Sequence, residues 1–282
     1  MANKALREFI INSLKEDIGG GDHSSLACIP DGTFGKAKLL IKEAGVLAGV
    51  RVALMVFNET DKTLINENLI CDGAEVLPGD VAFFISGNQR SILRSERLVL
   101  NIMQRMSGIA TSTRAYVNQL KGLKTKILDT RKTTPGMRYL EKEAVRIGGG
   151  ENHRMGLFDM IVLKDNHIDY AGGIKAAIGR TTEYLKRVNK NLKIEIEARN
   201  LEDIKEILAI GGVNRIMLDN FSIEDTKAAV KVIDRQFETE SSGGITLGNI
   251  RSYAECGVDY ISIGALTHHI KSLDMSLKAI RD

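Results

Sequence analysis

The sequence predicts an α/β protein whose first third is a mixed α+β region and whose remainder is a closed or nearly closed parallel α/β barrel. Three observations carry that reading. Between Lys126 and Gly264 short apolar strands alternate with helical segments, as a parallel sheet requires because every crossover needs a helix. Each of those strands ends on a polar residue or a glycine, and strand carboxyl ends are where parallel α/β proteins hold ligands. The first strand continues into TRKTTPG, which lacks the glycine fingerprint usual in the competing architecture, an open doubly wound sheet.

Taken in order, MANKALREFIINSLKEDIG has the apolar spacing of an amphipathic helix and not the plan of a signal peptide. The polar, glycine-rich GGGDHSSLACIPDG leads to strand-like KAKLLIK, glycine-punctuated GVLAGV and helical RVALMVFNET. TLINENLI and VAFFISG are strand signals on either side of the turn DGAEVLPGD. A helix is expected from about Ser91 to Met106, with Ile92, Leu93, Leu98, Val99, Ile102, Met103 and Met106 apolar. Ser107-Gly108 is expected to break it before another helix, and the domain boundary is placed there. Beyond it the strands KILD, MIVL, IEIE, RIML, TES and YISI are expected, with helices at Ile174 to Val188, Leu201 to Ile210, Ile223 to Phe237 and Leu247 to Cys256.

A chain of 282 residues with 43% hydrophobic content fits one large domain or two modest ones. Net charge is only +3, so no global field points to nucleic acid and any cationic site must be local. Cys28, Cys71 and Cys256 are far apart and fit neither a disulfide framework nor a C-x-x-C knuckle, so a reducing cytoplasm is expected. No apolar stretch approaches membrane-spanning length, and no membrane partner is expected.

The strand ends change character in order. Cations come first: Arg131 and Lys132 after KILD, His153 and Arg154 from a glycine-rich turn, and Lys164 after MIVL. Any one of these would pass as a solvated surface charge, but several at one mouth repel unless the ligand brings negative charge. Acids follow. Strand alternation puts Glu195 and Glu197 on one face of IEIE and the isoleucines on the other, with Glu197 nearer the carboxyl end and Asp219 at the next strand's mouth. Glu195, lying deeper, is expected to pair with Lys193 or a core lysine, while Glu197 and Asp219 suit a divalent ion such as Mg²⁺ completed by phosphate oxygens. Ser242-Gly243-Gly244 and Gly264 follow the last two strands, where barrels commonly bind phosphate through backbone N–H groups. His268-His269 lacks a third ligand at metal spacing and reads as structural or phosphate-adjacent.

Three runs carry a resemblance: Asp129-Thr130-Arg131-Lys132-Thr133-Thr134-Pro135-Gly136, Gly148-Gly149-Gly150-Glu151-Asn152-His153-Arg154-Met155-Gly156-Leu157 and Leu163-Lys164-Asp165-Asn166-His167. With Glu16-Asp17-Ile18-Gly19, Ser95-Glu96-Arg97, Leu100-Asn101, Gln104-Arg105-Met106-Ser107-Gly108-Ile109-Ala110-Thr111 and Glu240-Ser241-Ser242-Gly243-Gly244-Ile245, the chain resembles the decarboxylating quinolinate phosphoribosyltransferases of NAD biosynthesis over nearly its whole length. The resemblance implies an N-terminal α/β sandwich domain over 1–108, to which a tail at 266–282 returns, and an incomplete parallel α/β barrel over 109–265. It also implies a homodimer as the smallest functional unit, with Arg97 entering the neighbouring subunit's site and larger homo-oligomers left open. Carried over by position, Arg97, Arg131, His153, Arg154 and Lys164 would hold the carboxylates of quinolinate. Lys132, Glu197 and Asp219 would handle phosphoribosyl pyrophosphate and its Mg²⁺, and Ser242, Gly243, Gly244 and Gly264 the 5′-phosphate. Lys132, Lys164, Glu197 and Asp219 are the expected catalytic residues.

Overall fold

The computed structural model describes residues 2–280, so Met1 and the last two residues of the expected tail, Arg281 and Asp282, lie outside the described residues. The first elements are α1 (Ala2–Ile18), α2 (His23–Cys28), β1 (Phe34–Ile41), β2 (Gly45–Val46), α3 (Val50–Thr60), β3 (Ile65–Asn68), β4 (Glu75–Val76), β5 (Val81–Asn88) and α4 (Gln89–Gln119). Next come β6 (Lys126–Leu128), α5 (Arg138–Gly148), β7 (Ile161–Leu163), α6 (Asp165–Ala171), α7 (Ile174–Arg187), β8 (Ile194–Ala198), α8 (Leu201–Ile210), β9 (Arg215–Asp219) and α9 (Ile223–Ile233). The last are β10 (Glu238–Ser242), α10 (Ile250–Glu255), β11 (Tyr260–Ser262), α11 (Ala265–His268) and β12 (Met275–Ile280). Among the described residues no helix is long and apolar enough to cross a membrane.

Two compact units emerge: Met1–Arg114 with Thr133–Gly149 and Leu266–Asp282, and Ala115–Lys132 with Gly150–Ala265. The first is built on an antiparallel sheet ordered β12-β1-β5-β3. Alternation along β1 buries Ala37, Leu39 and Ile41, so one face of the strand meets the core and the other stays half-open. Strand β12 pairs with β1 in the register Leu39↔Leu277, placing the chain's last described strand at the sheet edge. Helix α3 turns Val52, Ala53, Val56 and Phe57 inward, and Phe57 meets Phe83 of β5 edge-to-face at 5.8 Å.

The expected break at Ser107-Gly108 does not occur: α4 runs through it as one helix of 31 residues. The physical reason is close packing. Ser107 Oγ accepts from Ala48 N at 2.8 Å and donates to Ala48 O at 3.2 Å, while a Cβ on Gly108 would lie 2.2 Å from Lys271 O. A small pair that reads locally as a helix breaker is therefore where two backbone segments lie against the helix. Gly108→Ala should destabilise the protein by about 1–3 kcal/mol through overpacking. Urea denaturation checks this, and a variant as stable as the parent would remove the argument.

The second unit holds a six-stranded sheet ordered β6-β11-β10-β9-β8-β7 with every pair parallel. Five strands wind in sequence and the first, β6, pairs with the last, β11, which is the connectivity of a barrel and not of a sheet with a reversal point. No ladder joins β6 to β7 among the described residues, so the barrel is incomplete, with its seam between its first two strands. Helices α7, α8 and α9 bury Ile178, Ile207 and Ile233 respectively, and β8 is buried on both faces, as a helix-covered parallel strand should be. The helix expected to reach Phe237 stops at Ile233, because Asp234 takes a left-handed conformation with φ 45° and caps it.

Candidate functional site

Sheet order sorts the strand-end residues around one rim. Arg131 and Lys132 follow β6 and Lys164 follows β7, the strands at the open seam, and the segment between them supplies His153 and Arg154. Acids follow on β8 and β9, then Ser242-Gly243-Gly244 after β10 and Gly264 after β11.

Hydrogen bonds fix the cation-bearing segment. Glu151 bridges Leu128 in parallel fashion, Asp129 N donates to Glu151 O at 3.2 Å, and His153 N donates to Asp129 Oδ1 at 2.9 Å. Asp129 is fully buried, and its other oxygen accepts from the Asn152 amide. Arg154 is half-buried, and its Nη1 donates to Met160 O at 3.1 Å. Its guanidinium pKa is pushed down, first by burial and next by the charge of Arg131. Glu195, Asp159 and Glu197 offset part of that effect, and two guanidinium groups brought together in this way suit an anion.

Across the seam, Lys164 Nζ lies 2.6 Å from Glu197 Oε1, and the Asp165 amide at the start of α6 donates to Glu197 Oε2 at 3.1 Å. Glu197 is 6% exposed and Lys164 is exposed, so the pair sits at the boundary between interior and solvent. Asp219 has its carboxyl pKa raised by burial and then by the negative charge of Glu197. Two carboxylates close enough to repel, with Lys164 the opposing cation, form an oxygen-donor pair suited to a hard divalent cation. The donor chemistry thus fits Mg²⁺.

The glycine turn is locked to the acid beside it. Ser242 is in register with Asp219, and Asn220 N donates to Ser242 O at 2.8 Å. Gly243 adopts φ 91°, and a Cβ there would stand 2.1 Å from Asn220 Oδ1. Gly244 faces open space. Lys132 is exposed and Gly264 half-buried. Arg97 lies exposed on α4 in the first unit, and His268 and His269 lie there too, with rings 4.4 Å apart edge-to-face.

Sequence reasoning missed a charged cluster inside the barrel. Glu195 does not pair with a lysine: its Oε2 lies 2.7 Å from His153 Nε2, while Lys193 is exposed and 4.0 Å from Glu238. Glu240 Oε2 stands 3.6 Å from the same imidazole nitrogen and 2.8 Å from Arg215 Nη1. Arg215 also reaches Glu238 at 3.2 Å and lies 3.9 Å over the Tyr260 ring. Both Glu195 and Glu240 are fully buried. Burial, followed by the charge of Glu195, pushes the Glu240 carboxyl up to about 7, and burial first also raises Glu195. His153, Glu195 and Glu240 are the three-residue group closest to a metal-ligand arrangement among the described residues, but the Arg215 guanidinium on Glu240 opposes a second cation there. Period-two alternation in GluThrGluSer, applied as it was to IEIE, would have placed Glu240 facing inward.

Comparison with known proteins agrees over nearly the whole chain. The profile described as "Quinolinate phosphoribosyl transferase, C-terminal domain" matches residues 109–278, and its N-terminal counterpart matches residues 22–107. The chain is 44% identical to the chloroplastic nicotinate-nucleotide pyrophosphorylase [carboxylating] of Arabidopsis thaliana, covering 97% of this chain and 82% of that one. It is 41% identical to the enzyme of the same name, without the location, from Mycobacterium leprae, covering 97% and 96%. The crystal structure of NadC from Streptococcus pyogenes superposes with a TM-score of 0.92 at 40% identity, covering 97% and 96%.

Proposed function

Because the chain belongs to the quinolinate phosphoribosyltransferase family, we propose that it transfers the phosphoribosyl group of phosphoribosyl pyrophosphate to quinolinate with decarboxylation, giving nicotinate mononucleotide, pyrophosphate and CO₂ for NAD biosynthesis. The observation that supports this reading is the seam, where the charge of Arg131 disfavours that of half-buried Arg154, a pairing that an anionic ligand would relieve. A pyridine dicarboxylate offers two planar carboxylates, the shape a guanidinium grips through paired hydrogen bonds.

In this mechanism Arg131, Arg154 and Lys164 form the dicarboxylate clamp, joined by Arg97 from a second copy, so that a homodimer is the smallest active unit; His153, expected in the clamp, has both ring nitrogens engaged by the Arg154 amide and Glu195 and supports it from behind. Lys132 neutralises the departing pyrophosphate, and Ser242, Gly243, Gly244 and Gly264 cradle the 5′-phosphate with backbone N–H groups. Glu197 and Asp219 would hold Mg²⁺, which supplies charge neutralisation on the diphosphate when bound. The same two carboxylates face the ribose carbon as it becomes cationic. The pyridine nitrogen is the nucleophile, so the bond to the ribose carbon forms as the bond to pyrophosphate breaks and no protein base is required. Once ribosylated, the cationic nitrogen stabilises the electron pair left on the adjacent carbon when CO₂ departs, and that carbon takes a proton. The enzyme orients and holds charge. Unpaired Cys28, Cys71 and Cys256 accord with a reducing, cytoplasmic setting.

The test supplies quinolinate, phosphoribosyl pyrophosphate and Mg²⁺ and follows CO₂ and nicotinate mononucleotide, with nicotinate as the control base. Turnover requiring quinolinate is the expected result. Turnover of nicotinate with none of quinolinate would overturn the specificity.

A further inference from the structure

The buried cluster under the seam lies outside the mechanism just given, yet it ends on His153, the residue before Arg154. We infer that Glu240, together with Glu195 and Arg215, is a positioning residue that acts through His153 to hold the His153-Arg154 segment in place for the dicarboxylate. This rests on the reading of Arg154 as part of the substrate clamp.

The imidazole is held from both sides. Its Nδ1 accepts from the Arg154 amide at 2.7 Å, so that nitrogen carries no proton, and Nε2 is left as the N–H donor to Glu195 Oε2 at 2.7 Å. The geometry thus selects the neutral Nε2–H tautomer, which a fixed hydrogen-bond partner on each nitrogen enforces. Behind Glu195 stands Glu240, held by Arg215 at 2.8 Å, which is itself braced by Glu238 and by the Tyr260 ring. The residues come from β8, β9, β10 and the segment before β7, so the network ties that segment to the middle of the sheet.

The electrostatics agree with this arrangement. Arg215 is a cation in direct contact with Glu240, but Glu240 is fully buried beside a second carboxyl group, so its protonated form is favoured. The elevated pKa of Glu240 is the same fact seen from the acid. Two fully buried acids against one histidine cost stability and so call for a return elsewhere. Residues that lock a ligand-bearing segment at some cost in stability are a recurring feature of functional sites.

The experiment uses the full-length enzyme. Glu240→Gln keeps the size and much of the hydrogen bonding but removes the acid, and His153→Asn keeps an acceptor near the Nδ1 position. Glu240→Gln should raise the KM for quinolinate about tenfold, the loss of one buried hydrogen-bonded link, with the KM for phosphoribosyl pyrophosphate within about twofold of the parent. The double variant should lose no more than the worse single variant, because both break one path. In ¹⁵N-labelled protein the His153 ring should show the Nε2-protonated pattern, identified by its disappearance in His153→Asn, and should shift in Glu240→Gln.

An Nδ1-protonated or fully protonated ring at neutral pH overturns the proposal whether or not the enzyme turns over. So do an unchanged KM for quinolinate, multiplying losses in the double variant, or equal rises in both KM values with a lowered melting temperature. Failure of the functional reading is separately visible, as parent enzyme inert toward quinolinate.

Discussion

Replacing Arg154 with alanine is expected to lower kcat/KM for quinolinate by roughly 10²–10³-fold, the usual loss when one preorganised charged contact to reacting substrate is removed. The fold should survive. The side chain is half-buried, its Nη1 donates to the Met160 carbonyl, and its charge is disfavoured by burial and by Arg131 and favoured by Glu195, Asp159 and Glu197. Its removal therefore relieves a repulsion while deleting one hydrogen bond and the attraction of those carboxylates, and the net stability change should lie within about 1 kcal/mol. Arg154→Lys separates charge from shape: an ammonium restores the charge but not the two-point grip on a carboxylate, so most of the loss should persist. Steady-state kinetics with quinolinate varied at saturating phosphoribosyl pyrophosphate, alongside thermal melting, decides the matter. Near-normal catalysis by Arg154→Ala would sink the assignment of the clamp.

The second large effect is expected at Gly243. Alanine there must hold φ near 91°, a backbone region L-residues rarely adopt, and must place its Cβ 2.1 Å from Asn220 Oδ1. Asn220 cannot simply swing away, because its own backbone is left-handed at φ 56° and its amide is bonded to Ser242 O. The turn must therefore open at the end of β10, disturbing the N–H groups proposed to meet the 5′-phosphate. The KM for phosphoribosyl pyrophosphate should rise tenfold or more and stability should fall by about 1–3 kcal/mol. Gly244→Ala is the internal control: φ is also positive at 63°, but no atom lies within 4 Å of its Cβ, so only the backbone term of roughly 1–2 kcal/mol applies. Equal behaviour of the two variants in kinetics and melting would remove the close-approach argument.

Much of this site was readable before any coordinate. Strand alternation placed Ile194 and Ile196 on one face and Glu195 and Glu197 on the other, and positions at strand ends identified Lys164, Glu197 and Asp219 as neighbours on one rim. These are local properties: side-chain direction repeats every two residues in a strand, and the strand's end is marked by its last apolar residue. Longer motifs added the family, because Arg131-Lys132 and His153-Arg154 sit in extended runs and not in isolated pairs.

Other features were hidden for a common reason. Ser107-Gly108 looks like a helix break from within its own segment, and only the backbone packed against Gly108, more than 160 positions away at Lys271, explains why a small residue stands there. Glu195 is expected to pair with Lys193 or a core lysine because it lies deeper in the strand, yet Lys193 stands before β8 begins and is exposed. Its real partner, His153, is 42 residues distant and arrives on the segment before β7, which Asp129 holds in place.

By itself, then, the sequence determined the α/β class, the alternating elements of the barrel, the kinds of side chain at each strand end and the family. Those follow from short-range periodicity and from runs of neighbouring residues. The tertiary structure decided where the barrel stays open, which cations gather at that seam, and which buried acid meets which base. Charge pairing inside a protein depends on register and desolvation, and both exist only once strands far apart in the chain lie side by side.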